Sequence, residues 1–394
     1  MVTNWAVCPY SIRGTLSNIL IKLHPMAKRL SQHFKLQKTQ AELDFVDVFL
    51  TGDLPLFIDP YALSKRTDIW SVEASNLAVD FFQQAVDHIR KGDHHKAKAI
   101  LNRLGEPNDT GLGLSRKKRQ GKGVSGKQSL ELYDYLKDST AAKTGFLKDL
   151  EDCELLVPGI SRDKISDITT NIIREKLVGY TQDQCELLDI PLQSVPCGPF
   201  WDPHSHEWSP DSYAELPTYK DGRLLLVPKA IVRYDLAYDH RDYYNGHVLS
   251  FLREQHLSAG DSLVQLLRNG KRRVTKKDLK EKYPLSKEFL YKFSKEHPAI
   301  FAKYKNELRD LREISNDSLA ALTDEAKTDL AAFEEKLAAI PAGTKHAGEY
   351  HDCIAGILEA ILYPWLTHPK KEQPLHDGRK RIDIVSLVSK TAVT

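Results

Sequence analysis

Apolar positions recur at helical spacing through residues 72–104: Leu77, Phe81, Phe82, Ala85 and Ile89, then Ala97, Ile100, Leu101 and Leu104. This pattern predicts two amphipathic helices. Lys91-Gly92-Asp93 predicts the break between them, because glycine readily adopts the left-handed backbone that ends a helix. Residues 40–160 read as mostly helical, apart from Asp53-Leu54-Pro55-Leu56-Phe57-Ile58-Asp59-Pro60. That apolar piece, bracketed by prolines, predicts an extended segment or strand closed by Pro60. Residues 128–151 predict more helix. Ser161 then caps a helix whose apolar side is Ile165, Ile168, Ile172 and Ile173. Residues 222–228 predict a strand, 234–268 a helical stretch, and 317–340 one long Ala/Glu/Lys/Leu helix.

The length of 394 residues has room for two or three domains. Hydrophobic content of 41% supports sizeable cores, and no apolar run approaches membrane-spanning length. Residues 1–10 lack the basic-then-apolar pattern of a secretory signal. Met26 is the only methionine besides Met1, so start-site choice could add or remove residues 1–25. Cys8, Cys153, Cys185, Cys197 and Cys353 are scattered and form no CxxC pair. This argues against a disulfide framework and a cysteine zinc site, and sets the expectation of a reducing cytoplasm.

Residues 105–127 hold six glycines and six Lys/Arg, including Arg116, Lys117, Lys118 and Arg119. They read as an exposed basic loop; the functional alternative is a phosphate cradle, although the Walker A pattern is not matched. Asp163, Asp167 and Asn171 follow at i, i+4 and i+8 along one side of the Ser161-capped helix. The helix dipole explains acids there, whereas a hard-metal site needs more oxygen ligands from elsewhere. In Trp201-Asp-Pro-His-Ser-His-Glu-Trp208, His204 and His206 would share one face of a strand, but no third metal ligand is fixed by spacing. A polar loop anchored by two tryptophans is the plainer reading.

A net charge of +2 excludes a polycation, so affinity for nucleic acid has to be local. Residues 268–309 carry fourteen Lys/Arg against five Asp/Glu. Within them Thr275 caps one short helix that Pro284 ends, and Ser286 caps a second containing Phe289, Leu290 and Phe293. Two short capped helices with a basic surface suggest a helix-turn-helix-like or winged-helix module. Lys271, Arg272, Arg273, Lys276, Lys277 and Lys280 would meet the phosphates of DNA, or of RNA. A solvated basic hairpin is the bland alternative.

The chain closes with an amphipathic helix over 348–363. Its apolar stripe is Tyr350, Cys353, Ile354, Ile357, Leu358, Ile361 and Leu362. Glu349 sits at the stripe's margin, and Asp352 and Glu359 face away from it. Glu372 follows in a polar loop, Asp377-Gly378 makes a turn, and 381–388 predicts a strand carrying Asp383.

The helix, the turn "HDGRKRIDIV" and its single buried-strand acid resemble the first half of a PD-(D/E)xK, restriction-endonuclease-like core. The resemblance covers 346–387 and implies an α+β fold, predominantly α-helical, with a partial restriction-endonuclease-like αβ unit at the C-terminus. It implies Asp383 as the first-strand metal ligand and Glu349 as the helix acid, together holding Mg²⁺ beside a scissile phosphate. Glu359 is the weaker catalytic candidate, because the pattern turns it to solvent. Arg379, Lys380 and Arg381 would add phosphate contacts. The family's next strand presents Glu-x-Lys, yet after Asp383 this chain has Lys390 and no acid. The expectation is therefore a DNA-directed nuclease-family protein of bacterial restriction or antiphage defence, its site incomplete and inactive unless a protein partner or missing sequence completes it, with a homo-oligomer as the other expected assembly. The other reading is a nucleic-acid-binding or complex-forming protein without chemistry, and a third is a nucleotide or metal enzyme centred on 111–126 with Asp163 and Asp167. The expected organisation is a helical region 1–160, a mixed region 161–265, the basic module 266–340 and the nuclease-like unit 341–394.

Overall fold

The apolar piece before Pro60 forms the short strand Phe57–Ile58, which pairs antiparallel with Val232–Arg233. Asp59 then caps the helix Pro60–Lys65, accepting from Tyr61 N at 3.1 Å, and Pro60 occupies the helix's first turn, where no N–H is needed. These contacts belong to a computed structural model that describes residues 28–114, 125–308, 313–375 and 380–389. For 125–130, 372–375 and 380–383 it describes the backbone alone.

The predicted helix pair is Ile69–Lys91 and His94–Leu101. Gly92 sits between them at φ +73°, and Asp93 caps the second helix. The apolar stripe of the first helix, from Ala74 through Phe81 to Ile89, is buried. Phe81 meets Trp201 and Trp208 edge-on, with centroids at 4.8 and 5.5 Å. Helices Arg162–Ile172 and Arg174–Leu187 complete this layer.

Among the described residues every sheet is two-stranded and antiparallel, and helices predominate. The fold is thus mixed α and β, mainly helical. One contiguous apolar core runs from Leu30 to Leu322.

Several expectations are corrected. Residues 43–56 are not helical: they thread the core as extended chain, with Val46 N donating to Val227 O at 3.0 Å and Leu54 N to Gly111 O at 2.9 Å. A buried backbone must be paired, and here neighbouring loops supply the partners. For the same reason 224–227 is buried without joining a ladder; Leu225 N donates to Asp109 O and Leu226 N to Thr181 Oγ1. The stretch 234–268 is helical only from His240 to Ala259, with a π-helical segment Tyr243–Val248 inside it. The long helix expected over 317–340 is interrupted: Asn316–Ala320 and Leu330–Ala338 are separate, Asp324 being in the left-handed region at φ +55° and Asp329 capping the second piece.

Candidate functional site

The C-terminal helix is Ala347–Leu362. It leads into an antiparallel hairpin of Leu366–Leu375 and Lys380–Val388. The second strand matches the expected one. The first was missed, and Glu372 lies within it rather than in a loop. Pro369 and Pro374 hid this strand, since proline is confined to strand edges and bulges. A one-residue bulge indeed falls between Thr367 and Lys370. Beyond it Lys371 pairs with Ile384 and Gln373 with Ile382, so the register sets Glu372 across from Asp383. The side chain of Asp383, and those of Lys380 and Arg381, lie outside the described residues, as do the whole of Arg379 and of Arg116, Lys117, Lys118 and Arg119.

Glu349 is exposed in the first helical turn, with its carboxylate 3.3 Å from Nδ1 of His346. Glu359 is the clearest correction. It is buried, and its Oε1 lies 3.1 Å from Nζ of the fully buried Lys229. Burial pushes its carboxyl well up, the nearby Asp44 adds to this, and Lys229 opposes it. The helix turns the line Cys353, Gly356 and Glu359 inward. At Gly356 an added Cβ would lie 3.0 Å from Lys38 Nζ and 3.1 Å from Glu42 Oε1, so glycine permits the close approach. Part of the predicted buried stripe, Tyr350, Leu358 and Ile361, is exposed instead.

A buried polar layer joins this unit to the preceding chain. His368 N donates to Asp44 Oδ2 at 3.0 Å, and Tyr180 Oη donates to the same oxygen at 2.8 Å. Arg66 reaches Thr367 Oγ1 at 3.0 Å and is paired to Asp68 at 2.9 Å. Gln184 donates to Pro369 O, and Tyr363 Oη to Ile314 O. Sequence reasoning missed all of these, because their partners lie far apart along the chain and no spacing signals them.

The second candidate surrounds Asp167. Burial raises this carboxyl to about 8, with Asp163, Glu106 and Asp53 adding to the shift. Two loops thus supply acids that act on Asp167 through their charge, but among the described residues these acids do not bring three ligand atoms within 4.8 Å of one another. Asn171, by contrast, spends its amide on Gly105 O and Asp167 O at 2.6 and 2.7 Å. Glu106 also lines an open cleft of about 600 Å³ with Asn108, Asp109, Arg174, Tyr219 and Arg223. In its wall Arg174 and Arg223 converge on Asp109 Oδ2 at 2.6 and 2.7 Å, and hold that carboxyl down at about 2.

His204 and His206 sit in the tight turn between Trp201–Asp202 and Glu207–Trp208, not along a strand face. His206 pairs with Asp80 at 3.2 Å and His204 is exposed, so the two do not converge. Trp201 and Trp208 do pair across this hairpin. Glu154, Asp239 and His240 lie close enough to share an ion. Each is already used: Glu154 meets His240 Nδ1 and N at 2.8 Å, and Asp239 caps a helix.

In the basic module Thr275 caps Lys276–Lys282 and Ser286 caps Lys287–Glu296, as the pattern predicts, and a third helix, Pro298–Glu307, follows. A hairpin of Gln265–Leu266 and Arg272–Arg273 precedes them. Lys271, Arg272, Arg273, Lys276, Lys277 and Lys280 are all exposed. No helix among the described residues is long and apolar enough to cross a membrane.

Comparisons with curated proteins and with solved structures gave no match. A family model does match residues 35–239, the stretch that supplies Asp53, Glu106, Asp109, Asp163, Asp167, Arg174 and Arg223 and stops short of the basic module. The chain belongs to that family, described as Domain of unknown function (DUF8370).

Proposed function

We propose that this protein is a DNA-directed member of the nuclease-like class, acting in restriction or antiphage defence, with an incomplete metal-dependent phosphodiesterase site. The observation that carries the reading is the order of the C-terminal elements: an acid-bearing helix, a strand, then a strand presenting Asp383 with Glu372 across from it in register. Glu349 suits a hard cation, being exposed in the first helical turn with its carboxylate beside His346. Glu359 does not suit one, because it is buried against Lys229 and burial favours its protonated form. Asp383 and Glu349 would therefore hold Mg²⁺, which when bound supplies charge stabilisation at a phosphate and lowers the pKa of water. Residues 384–394 hold no match to the family's second carboxylate and its paired lysine.

The basic module would provide affinity through phosphate contacts, for DNA above all and for RNA secondarily. The test is duplex binding by the full chain with and without Mg²⁺ at constant ionic strength. A gain with Mg²⁺ that Asp383→Ala removes supports the metal site. Binding that ignores both Mg²⁺ and Asp383 favours a non-catalytic nucleic-acid-binding protein instead. The acids around Asp167 motivate a second reading, a divalent-cation site in the family region; calorimetry with Mg²⁺ on wild type and Asp167→Asn decides it.

A further inference from the structure

The hairpin over 265–273 exposes the neighbouring leucines Leu266 and Leu267 among cations, Leu266 the more fully. Leu266 is 74% exposed and pairs in register with Arg272, while Gln265 pairs with Arg273. Exposing an isolated leucine is ordinary, but exposing one at the end of a hairpin dense in positive charge is a specific arrangement. Arg268, Lys271, Arg272 and Arg273 are exposed, and among the described residues no acid pairs with them.

The hairpin is also built rigidly. Leu267 N donates to Lys271 O and Gly270 N to Leu267 O, both at 2.9 Å, with Gly270 at φ +76°. Gln265 Nε2 holds Asp278 Oδ2 at 2.9 Å, tying the hairpin to the Lys276–Lys282 helix. Val274 is buried at its base. A rigid element loses little entropy on binding.

We propose that this hairpin is a wedge for duplex DNA, with Leu266 entering the minor groove while the surrounding cations hold the flanking phosphates. The inference rests on the DNA-directed reading above and narrows it to one surface. Charge complementarity selects a polyanion. The combination of an aliphatic side chain with neighbouring arginines is the chemistry of minor-groove insertion, in which unstacking a base step bends the duplex. Residues 265–273 contain no aromatic ring on which single-stranded bases could stack.

The test uses the full chain and a labelled DNA duplex, reading affinity by anisotropy across a salt series and bending by energy transfer between the duplex ends. Arg272→Ala with Arg273→Ala should weaken binding at least about tenfold and reduce the log–log salt slope by about two. Leu266→Ser should leave that slope unchanged, weaken binding about fivefold and abolish the bend. Unchanged far-UV dichroism shows that both variants fold. Wild-type binding and bending in both variants overturns the inference, as does a preference for an RNA duplex of the same sequence. Binding that survives the hairpin changes but loses its Mg²⁺ gain in Asp383→Ala sinks the wedge and keeps the nuclease-like reading. Hairpin-dependent bending with no Mg²⁺ gain keeps the wedge and sinks that reading.

Discussion

Removing the amine of Lys229 should unfasten the C-terminal unit from the rest of the molecule. Lys229 is fully buried, with Nζ 3.1 Å from Glu359 Oε1, 3.3 Å from Ala41 O and 4.4 Å from the Tyr363 ring centroid. Lys229→Met keeps the aliphatic volume and strands the Glu359 carboxyl beside Asp44. Breaking one side of a buried pair costs about 3–5 kcal/mol, whereas replacing both sides with apolar groups is close to neutral. Lys229→Met and Glu359→Gln should therefore each lose about 3 kcal/mol or more, and Lys229→Met with Glu359→Leu should recover most of it.

The pH dependence follows from the carboxyl. Burial raises its folded pKa, so between the unfolded value and the folded one the native state binds the extra proton. Without Lys229 that pKa rises further, and the variant's stability falls steadily as pH climbs from 5 to 8. Urea unfolding followed by far-UV dichroism at pH 5 and pH 8 measures both effects. Single variants within about 1 kcal/mol of wild type, or a double variant weaker than either single, would refute the buried-pair reasoning.

Three further outcomes are expected. Asp167→Asn should stabilise the protein increasingly as pH rises from about 4 toward 8, by roughly 2–4 kcal/mol at the top once partial exposure is allowed for, because the wild-type carboxyl must stay protonated up to about 8; unfolding midpoints against pH check it. Asp109→Asn leaves Arg174 and Arg223 without their shared carboxylate and should cost about 2–4 kcal/mol at pH 7; the loss should shrink as pH falls from the ordinary carboxylate range toward 2, since the folded group titrates at about 2. Gly159→Ala should be destabilising by more than about 2 kcal/mol in thermal unfolding, as Gly159 is at φ +81° and an added Cβ would sit 2.3 Å from the Tyr135 ring.

Local signals were read well where local physics decides the structure. The Gly92 break, the caps at Thr275 and Ser286, and the closing strand all depend on neighbours a few residues away. Misreadings arose where tertiary partners decide. Residues 43–56 have enough apolar content for a helix, yet their backbone bonds go to Val227 and Gly111, more than fifty residues away. Glu359 looked like a solvent-side residue because its helix has one apolar stripe, and the partner that draws it inward is Lys229. The acids Asp53 and Glu106 near Asp167 were invisible for the same reason: separate loops bring them together. The strand Leu366–Leu375 was masked by its prolines, and the bulge that accommodates Pro369 cannot be read from composition.

The most direct test of the account is the Mg²⁺ dependence of duplex-DNA affinity for the full chain and for Asp383→Ala, at fixed ionic strength. Binding by the wild type should tighten when Mg²⁺ is present, with no such gain in the variant, whose salt slope stays the same. Equal Mg²⁺ responses in the two proteins, or no binding of duplex DNA by either, would contradict this.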